Sequence, residues 1–306
     1  MGRYIVKRLL GLIPLLLAVS FLIFIFIHII PGDPARLMAG KDATNAEVEA
    51  LRASLGLDEP LLKQYFAFMT DLFKGDLGYS LRSNAPVTKL FGERFLPSLQ
   101  LSLLSIGWAS VFGVLLGIVS AVFRGRWPDY LGTVTAISGI SVPNFWLGLV
   151  MIQLFAVVFN IFPAGGIETW KGYILPSIAL GAGIMAMITR FTRSSLVQTL
   201  QEDFVRTARS RGLSEKAVIF GHALKKSLVT VMTIAGLQFG FLLGGSIVVE
   251  TVFSFPGMGR LLIDSIQFRD YPVVQSLLLI FSLEFILVNL LVDILYGFLN
   301  PKIRYN

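Results

Sequence analysis

Residue types that could perform catalysis or hold a metal ion are scarce in this sequence. It contains no cysteine and only two histidines, His28 and His222, which are far apart along the chain. The sequence therefore offers no thiol nucleophile, no disulfide and no metal cluster of cysteines and histidines. The phosphate-binding pattern G-x-x-x-x-G-K-[ST] is also absent. We expect no catalytic residue, no metal site and no nucleotide site in this chain.

Three polar side chains near the end of the sequence could serve a different purpose. Glu284, Asn289 and Asp293 lie within a long apolar run, and polar groups inside a membrane span often mark a path for solutes. Asn289 and Asp293 are four residues apart and share one helix face, whereas Glu284 points roughly the opposite way. The three residues are candidates for lining a translocation path. Hydrogen bonding between helices, or wetting near the inner mouth, would also account for them.

The elements that must position these residues are membrane-spanning helices. Of the 306 residues 55% are hydrophobic and only 15% are charged, and the mean hydropathy is +0.74. A soluble protein would carry about 25% charged residues. A spanning helix needs about 20 apolar residues. Six segments qualify, and they predict an all-α integral membrane protein: 9–30, 98–123, 132–159, 174–196, 228–250 and 273–299.

Two of these six segments are ambiguous. The first follows a basic start, as a secretory signal would. Its apolar run of about 22 residues exceeds the roughly 7–15 of a signal core, so we expect a retained anchor. The fourth is the weakest span, because Arg190 and Arg193 interrupt its end, and we expect it to leave the membrane near them.

The distribution of charge orients the six spans. If both termini face the cytoplasm, the inner segments hold more than half of the 26 basic residues and only four of the 19 acidic ones. Basic residues gather in the short cytoplasmic loops of membrane proteins. We therefore predict that both termini are inside. The formal charge of +7 reflects this topology and needs no nucleic-acid partner to explain it.

The longest polar stretch, residues 31–97, lies outside in this topology. The sequence PGDP directly after the first span predicts a turn, because proline removes a backbone donor. Thr44 and Glu47 have the spacing of a capping box, and Gly56 is placed to end the helix that follows. Pro60 opens a second helix with apolar residues at helical spacing. We expect a small helical cap on the outer face, either a packing module or a landing surface for an external partner.

Glycines recur at every fourth position in two of the spans. Gly236, Gly240 and Gly244 share one face of the fifth span, and Gly113 and Gly117 repeat this spacing in the second. Small residues at this spacing let helix backbones approach closely in lipid, so we predict helix packing here. No internal repeat is strong enough to indicate an inverted-repeat transporter.

A basic connection, residues 197–227, joins the fourth and fifth spans. Its first part, LQEDFVRTARSRGL, predicts a helix broken at Gly212. Ser214 is a natural N-cap, and an acid follows it where the helix dipole favours negative charge. The next residues, EKAVIFGHAL, predict a short crosswise helix with Val218 and Ile219 in an apolar patch. The patch could dock into a groove of another protein, the connection could be a plain charged loop, or the helix could bind calmodulin or a lipid surface.

The middle of the basic connection resembles a known signature. Arg206-Thr207-Ala208, followed by Gly212, is similar to the E-A-A-x-x-x-G pattern of permease subunits in bacterial ATP-binding-cassette (ABC) importers, in the R-T-A form of the peptide and nickel branch. In that family the loop forms a coupling helix that seats in a groove of the ATPase subunit. A proline common after such loops is replaced here by Thr230. The resemblance implies a coupling role for the following residues: Arg206, Thr207, Ala208, Gly212, Leu213, Ser214, Glu215, Val218 and Ile219.

The resemblance covers the whole chain. The start, YIVKRLLGLIPLLLAVSFLIFIFIHIIPGDPARLMAG, and the segment VETVFSFPGMGRLLIDSIQFRDYPVVQ are similar to permeases of dipeptide, oligopeptide, nickel and glutathione importers. GLQFGFLLGGSIVVE and the ending LVDILYGFLNPKIRY look closest to the glutathione branch. The resemblance implies import of glutathione or another small peptide, with dipeptides, oligopeptides or nickel as alternatives.

The resemblance also implies an architecture and a set of partners. The expected location is the bacterial inner membrane, where the chain contacts lipid. The expected partners are a second, related permease, two ATPase subunits that bind ATP and Mg²⁺, and a periplasmic substrate-binding protein. The fold implied is a type I importer permease with an extra N-terminal helix. Its expected parts are a cytoplasmic start with the first helix (1–30), an outer helical segment (31–97), a five-helix core (98–300) and a cytoplasmic tail (301–306).

The residues themselves leave other classes of function open. A self-sufficient secondary carrier or channel would have charges aligned inside the spans and would transport without nucleotide. A receptor or scaffold anchor would transport nothing.

Overall fold

The structure is a computed structural model that describes residues 2–29, 34–39, 43–54 and 56–299. These residues form helices and loops, with no strand beyond an isolated bridge between Tyr79 and Pro86. Helices suit long apolar runs because each segment then pairs its own backbone polar groups inside the membrane. The helices are α1 (Gly2–Ile29), α2 (Pro34–Ala39), α3 (Asn45–Ser54), α4 (Leu61–Phe73), α5 (Val87–Val122), α6 (Trp127–Ser141), α7 (Asn144–Met151), α8 (Ile174–Thr199), α9 (Asp203–Ser210), α10 (Leu224–Gly245), α11 (Ile247–Val252), α12 (Met258–Gln267) and α13 (Tyr271–Leu299).

In the described residues, five helices are long and apolar enough to cross a membrane, and the bent pair α6 and α7 passes the same test of length and composition when it is counted as one span. The predicted spans are therefore found in order, but with shifted boundaries. α5 begins at Val87 rather than near residue 98, because Pro97 lies inside the helix without ending it. The predicted boundary at 97 thus falls within a helix. The 36 residues of α5 exceed the roughly 20 that a bilayer needs, so this helix extends beyond the hydrocarbon layer.

The third predicted span is not one continuous helix. α6 and α7 are bent by 99° relative to each other. Pro143 causes the break, because it has no N–H to donate and forces Val142 into extended backbone with φ −84° and ψ 121°. α7 then continues as a π-helical stretch at Ile152–Val158. The expectation of an unbroken span at 132–159 is corrected in this respect.

α8 occupies the centre of the bundle. Of its most apolar window 61% is buried, more than in the other four unbroken crossings, and it packs on α5, α6, α7 and α10. α5 approaches it closely, as the glycine spacing predicts, since a Cβ at Gly117 would lie 2.5 Å from the Cβ of Thr192. Arg190 and Arg193 do not end the helix, which continues to Thr199. The weakest span by sequence is therefore the most buried of these helices.

The fifth crossing begins earlier than the sequence predicts. After the glycine turn, a helix with π-helical hydrogen bonding at Ala217–Ala223 runs without a break into α10. The segment EKAVIFGHAL is thus the start of this crossing and not a separate crosswise helix. It contains no proline, and a single glycine, Gly221, weakens a helix without ending it. α9 is the separate short helix of the basic connection.

The outer segment folds as its local signals predict. The Thr44 N–H donates to Glu47 Oε2 at 2.7 Å, and the Glu47 N–H donates to Thr44 Oγ1 at 3.3 Å, which completes the capping box. Gly56, with φ +66°, follows the end of α3, and Pro60 precedes the first residue of α4. Residues 31–33 of the predicted PGDP turn lie outside the described residues.

Candidate functional site

The basic connection is built around α9 and the glycine turn that ends it. Gly212 has φ +78°. Its N–H donates to the carbonyl of Arg209 at 3.0 Å, and the Leu213 N–H donates to the carbonyl of Ala208 at 3.4 Å. These two bonds form a Schellman motif, which pairs the last carbonyls of a helix and favours glycine. The positive φ is what favours glycine here. Crowding is not the cause, because an added Cβ would meet no atom within 4 Å.

An N-cap and an ion pair close this turn. The Ala217 N–H donates to Ser214 Oγ at 3.4 Å, so the predicted N-cap is present. The guanidinium of Arg209 donates to both carboxylate oxygens of Glu215, at 2.8 and 3.2 Å. These hydrogen bonds lower the pKa of Glu215 and raise the pKa of Arg209. Because both side chains are exposed to solvent, the pair fixes the shape of the turn more than it stabilises the fold.

One apolar face of α9 rests on the rest of the chain. Val205 and Ala208 are buried in a cluster that includes Leu196 of α8 and Val218. Val218 and Ile219, which the sequence assigns to an apolar patch facing a partner, are themselves buried within the chain. That expectation is corrected, because this segment continues α10 and its apolar face packs inside the bundle.

Other side chains of the basic connection stay exposed. Phe204, Leu213 and Phe220, here called the exposed apolar surface, are 38%, 41% and 58% accessible. Arg206 and Arg211, nearby in sequence, are exposed too. Exposed apolar residues rimmed by polar ones are typical of an interaction surface. Reasoning from sequence included the leucine but missed both phenylalanines.

A buried ion pair joins α6 to α8 and accounts for the charge of Arg193 within the fourth predicted span. Asp129 accepts two hydrogen bonds from Arg193, at 2.5 and 2.8 Å. It also accepts one from Ser120 Oγ at 2.6 Å and one from the Gly125 N–H at 2.9 Å. A buried carboxylate needs such partners because it has lost its hydration. Arg193 neutralises an acid to which the sequence assigns no partner, and the exit of α8 from the membrane near Arg190 and Arg193 stays a prediction.

A second candidate site lies at the break between α6 and α7. A cavity of about 460 Å³, here called the helix-break cavity, is lined by residues from 139–144, 180–187 and 238–242. Its lining includes the side-chain amides of Asn144 and Gln238, the latter with its nitrogen 3.3 Å from the sulfur of Met187. Non-helical backbone at membrane depth is tolerated where it lines a cavity. The break and the amides together add polar groups to the mostly apolar lining of this cavity.

The predicted path residues lie elsewhere. Glu284 and Asn289 belong to α13, which packs on α10 and α1, and neither lines the helix-break cavity. Asn289 donates to the carbonyl of Phe285 in its own helix at 2.8 Å, and the buried carboxylate oxygens of Glu284 have no hydrogen-bond partner in the described part of the chain. Asp293 lies in α13, but its side chain is outside the described part. The described path residues therefore do not line the helix-break cavity, and their role in a path stays a prediction.

Two of the three predicted packing glycines on α10 meet α13. A Cβ at Gly236 would lie 2.3 Å from Cγ2 of Val292, and one at Gly240 would lie 3.3 Å from Cδ2 of Phe285. Gly244 has open space within 4 Å. The two helices are thus closest at Gly236 and separate along α10, so the stripe works as a packing surface over only part of its length.

At the other end of the bundle, a buried carboxylate joins α5 to the turn between α11 and α12. Glu250 is fully buried and accepts hydrogen bonds from Ser98 Oγ and Ser246 Oγ, each at 2.7 Å, and from the Arg260 N–H at 3.1 Å. Gly257 must lack a side chain, because a Cβ there would lie 2.2 Å from the carboxylate. The role of this acid, in the segment VETVFSFPGMG, was not predicted from the sequence.

The sequence matches two protein-family models over most of its length. Residues 113–305 match the family described as binding-protein-dependent transport system inner membrane component, and residues 1–102 match the N-terminal part of such a membrane component. This chain belongs to that family. As an inner-membrane transport component it crosses the membrane several times, in agreement with the helices found.

Relatives of this transport component align over its full length. The glutathione transport system permease protein GsiC of Pectobacterium atrosepticum is 54% identical over 305 residues, which is 100% of both chains. The protein of the same name from Escherichia coli (strain K12) is 52% identical, again over 100% of both chains. The resemblance to ABC importer permeases that the sequence motifs indicated is thereby confirmed.

A solved transporter shares the fold of this transport component. The crystal structure of an amino acid ABC transporter with histidines aligns with a TM-score of 0.54 at 18% identity, and covers 68% of this chain and 94% of that chain. At this identity the likeness concerns the fold alone. Together with the family match, it confirms the predicted all-α permease fold.

Proposed function

We propose that this chain is the permease subunit of an importer that carries glutathione, or another small peptide, across the inner membrane. The observation that supports glutathione as the substrate is the full-length identity of 52–54% to glutathione transport permeases. The helix-break cavity supports it, because Asn144 and Gln238 each offer an amide donor and acceptor to a polar peptide. Dipeptides, longer peptides and nickel remain the alternative substrates within the same family.

The energy for import comes from two separate ATPase subunits that bind ATP and Mg²⁺, and this chain contributes no catalytic residue. The basic connection supports this division of labour. α9 is seated through the buried Val205 and Ala208, whereas Phe204, Leu213 and Phe220 stay exposed. A rigid element that is packed on one side and free on the other can transmit a movement of a bound partner.

The transport cycle follows from this arrangement. The chain pairs with a second, related permease, and a periplasmic binding protein docks on the outer face. Both termini face the cytoplasm, which the gathering of basic residues in the inner segments supports. Closure of the ATPase subunits pushes α9 and tips the bundle from inward-open to outward-open. The loaded binding protein then releases its substrate into the path that includes the helix-break cavity.

Uptake of labelled glutathione by cells with and without this gene tests the proposal. Deletion should abolish uptake, a plasmid copy should restore it, and excess dipeptide, longer peptide or nickel should compete weakly. If deletion leaves glutathione uptake unchanged but abolishes peptide or nickel uptake, the chain is still a permease subunit, but its substrate is not glutathione. Uptake that persists after the ATPase subunits are inactivated would instead indicate a secondary carrier.

Gly212→Pro tests the coupling role of the basic connection. Proline fixes φ near −65°, which is incompatible with the φ of +78° at this position, so the turn after α9 cannot form. Uptake should be lost while the protein remains in the membrane. The matched control is Gly221→Ala, which has open space around it and no special backbone conformation, and which should transport normally. Uptake near the unmutated level in Gly212→Pro would refute the coupling role.

A further inference from the structure

The outer helix α4 has apolar residues that its contact with the rest of the chain leaves exposed. Tyr65 and Phe68 face α1, whereas Leu62, Phe66 and Phe73 point elsewhere and are 63%, 66% and 82% exposed. The spacing of these three residues places them on one helix flank. This exposed apolar flank has no cover among the described residues.

The contacts of α4 with α1 fix its depth. Tyr65 OH and Ser20 Oγ share a hydrogen bond of 2.8 Å, and Tyr65 OH donates to the carbonyl of Leu17 at 3.4 Å. The ring of Phe68 stacks on Phe24 with centroids 6.1 Å apart. All three α1 residues lie within the membrane-crossing segment Leu10–Ile29. Leu17 lies about 18 Å before the end of that segment at 1.5 Å per residue, a distance greater than a tyrosine side chain can span.

The remaining face of α4 is polar. Lys63, Thr70 and Lys74 follow one another at helical spacing, and both lysines are 68% exposed. Their face adjoins the exposed apolar flank on the helix surface. A helix with a wide apolar arc and cations along its border is typical of one that lies at a membrane interface, with its apolar side among the acyl chains.

We propose that α4 is an interfacial helix whose apolar flank, Leu62, Phe66 and Phe73, is immersed in the acyl chains of the outer leaflet. The depth of Tyr65 against α1 favours lipid over a protein partner in the aqueous space, because the flank lies level with the apolar crossing of α1. The leaflet follows from the proposed orientation with both termini inside, but immersion itself does not depend on that orientation.

This placement fixes the outer segment at the membrane surface. The loop that follows α4 is tied to the start of α13, where Asp270 accepts hydrogen bonds from Ser80 Oγ at 2.5 Å and from the Leu81 N–H at 2.9 Å. α4 would therefore hold the outer end of the bundle at a set height in the bilayer. α1 supports this placement, because it contacts both α4 and α13.

Spin labels on the full chain test the immersion. The chain has no cysteine, so single substitutions at Leu62→Cys, Phe66→Cys and Phe73→Cys carry one label each, with Thr70→Cys and Lys74→Cys as matched controls on the polar face. The protein is reconstituted in vesicles of phosphatidylethanolamine and phosphatidylglycerol. Collision rates with oxygen, which partitions into lipid, and with a water-soluble nickel chelate are then compared. The ratio of oxygen to nickel collisions should be above one on the flank and below one on the polar face.

Two results would overturn the proposal. The first is a flank as accessible to the nickel chelate as the polar controls. The second is a flank that loses both kinds of collision only when a protein partner, such as the periplasmic binding protein, is added. A membrane-impermeant thiol reagent applied to the Thr70→Cys protein reports the side of the membrane separately, so a wrong orientation and a failure of immersion are distinguishable.

Discussion

The basic connection and the helix-break cavity are held together by different kinds of contact. The turn after α9 is closed by hydrogen bonds between residues that are close in sequence: the Leu213 N–H donates to the carbonyl of Ala208, and the Arg209 guanidinium donates to Glu215. The helix-break cavity is assembled from three segments that are far apart in sequence and that meet only in the folded bundle. The first site therefore keeps its shape through local turn chemistry, and the second depends on how α6, α7, α8 and α10 pack.

This difference suits the two roles proposed for the regions. The connection that is proposed to transmit force has a turn closed by local hydrogen bonds. The cavity is suited to changing shape, because it opens or closes whenever the surrounding helices shift. Substitutions in the basic connection should therefore change the coupling of ATP hydrolysis to transport, and substitutions in the helix-break cavity should change the affinity for substrate.

Among the substitutions that leave the backbone conformation intact, the largest effect is expected from removing the amides of the cavity. Asn144→Leu and Gln238→Leu should each raise the KM for uptake about fivefold, from roughly 1 kcal/mol per lost hydrogen bond, and the double variant more. ATP hydrolysis by the assembled complex should be preserved. Asn289→Leu is the matched control, because that amide bonds only to its own helix, and its uptake should be unchanged. A larger effect of Asn289→Leu than of the cavity variants would indicate that the substrate path runs along α13 and not through the cavity.

A smaller effect is expected from reversing the charge at the turn. Glu215→Arg places two cations together beside α9 and should lower transport-coupled ATP hydrolysis by a few-fold, with KM unchanged, because exposed ion pairs contribute little. The swap Arg209→Glu with Glu215→Arg should restore most of the loss, and Glu49→Arg, an exposed reversal on α3, should do nothing. A failure of the swap to rescue would mean that the pair does not set the shape of the turn.

The smallest effect is a pH dependence of this same pair. The pKa of Glu215 is below its ordinary value of 4.5 in the folded protein. The contribution of the pair to stability is therefore complete above the unfolded pKa and is lost as pH falls through the lowered folded pKa. The difference in Tm between the unmutated protein and Glu215→Gln should be constant from neutral pH down to about pH 5 and should shrink as the pH falls further, through the lowered folded pKa. A difference that grows on acidification would contradict this assignment.

Local signals in the sequence predicted much of this protein correctly. The capping box of Thr44 and Glu47, the N-cap at Ser214 and the turn at Gly212 were all readable, because each depends on residues within one or two turns of helix. The crossings were readable for a similar reason, since a bilayer imposes a minimum apolar length.

Contacts between distant segments were not readable from the sequence. The partner of Arg193 is Asp129, and no spacing rule connects them. Val218 was expected to face a partner, but the helix containing it continues into α10 and turns its apolar face inward. Polarity alone made Glu284 a candidate for the path, whereas the cavity at the Pro143 break, which is assembled from distant segments, could not be predicted from the sequence.

The most direct test of the account is photocrosslinking from the basic connection to the ATPase subunits. A photoreactive phenylalanine analogue is placed at position 204, 213 or 218 of the full chain in the assembled importer. The account predicts crosslinks to an ATPase subunit from positions 204 and 213, where Phe204 and Leu213 are exposed, and none from 218, where Val218 is buried. Crosslinks from 218 alone, or from none of the three positions in a complex that still transports, would contradict it.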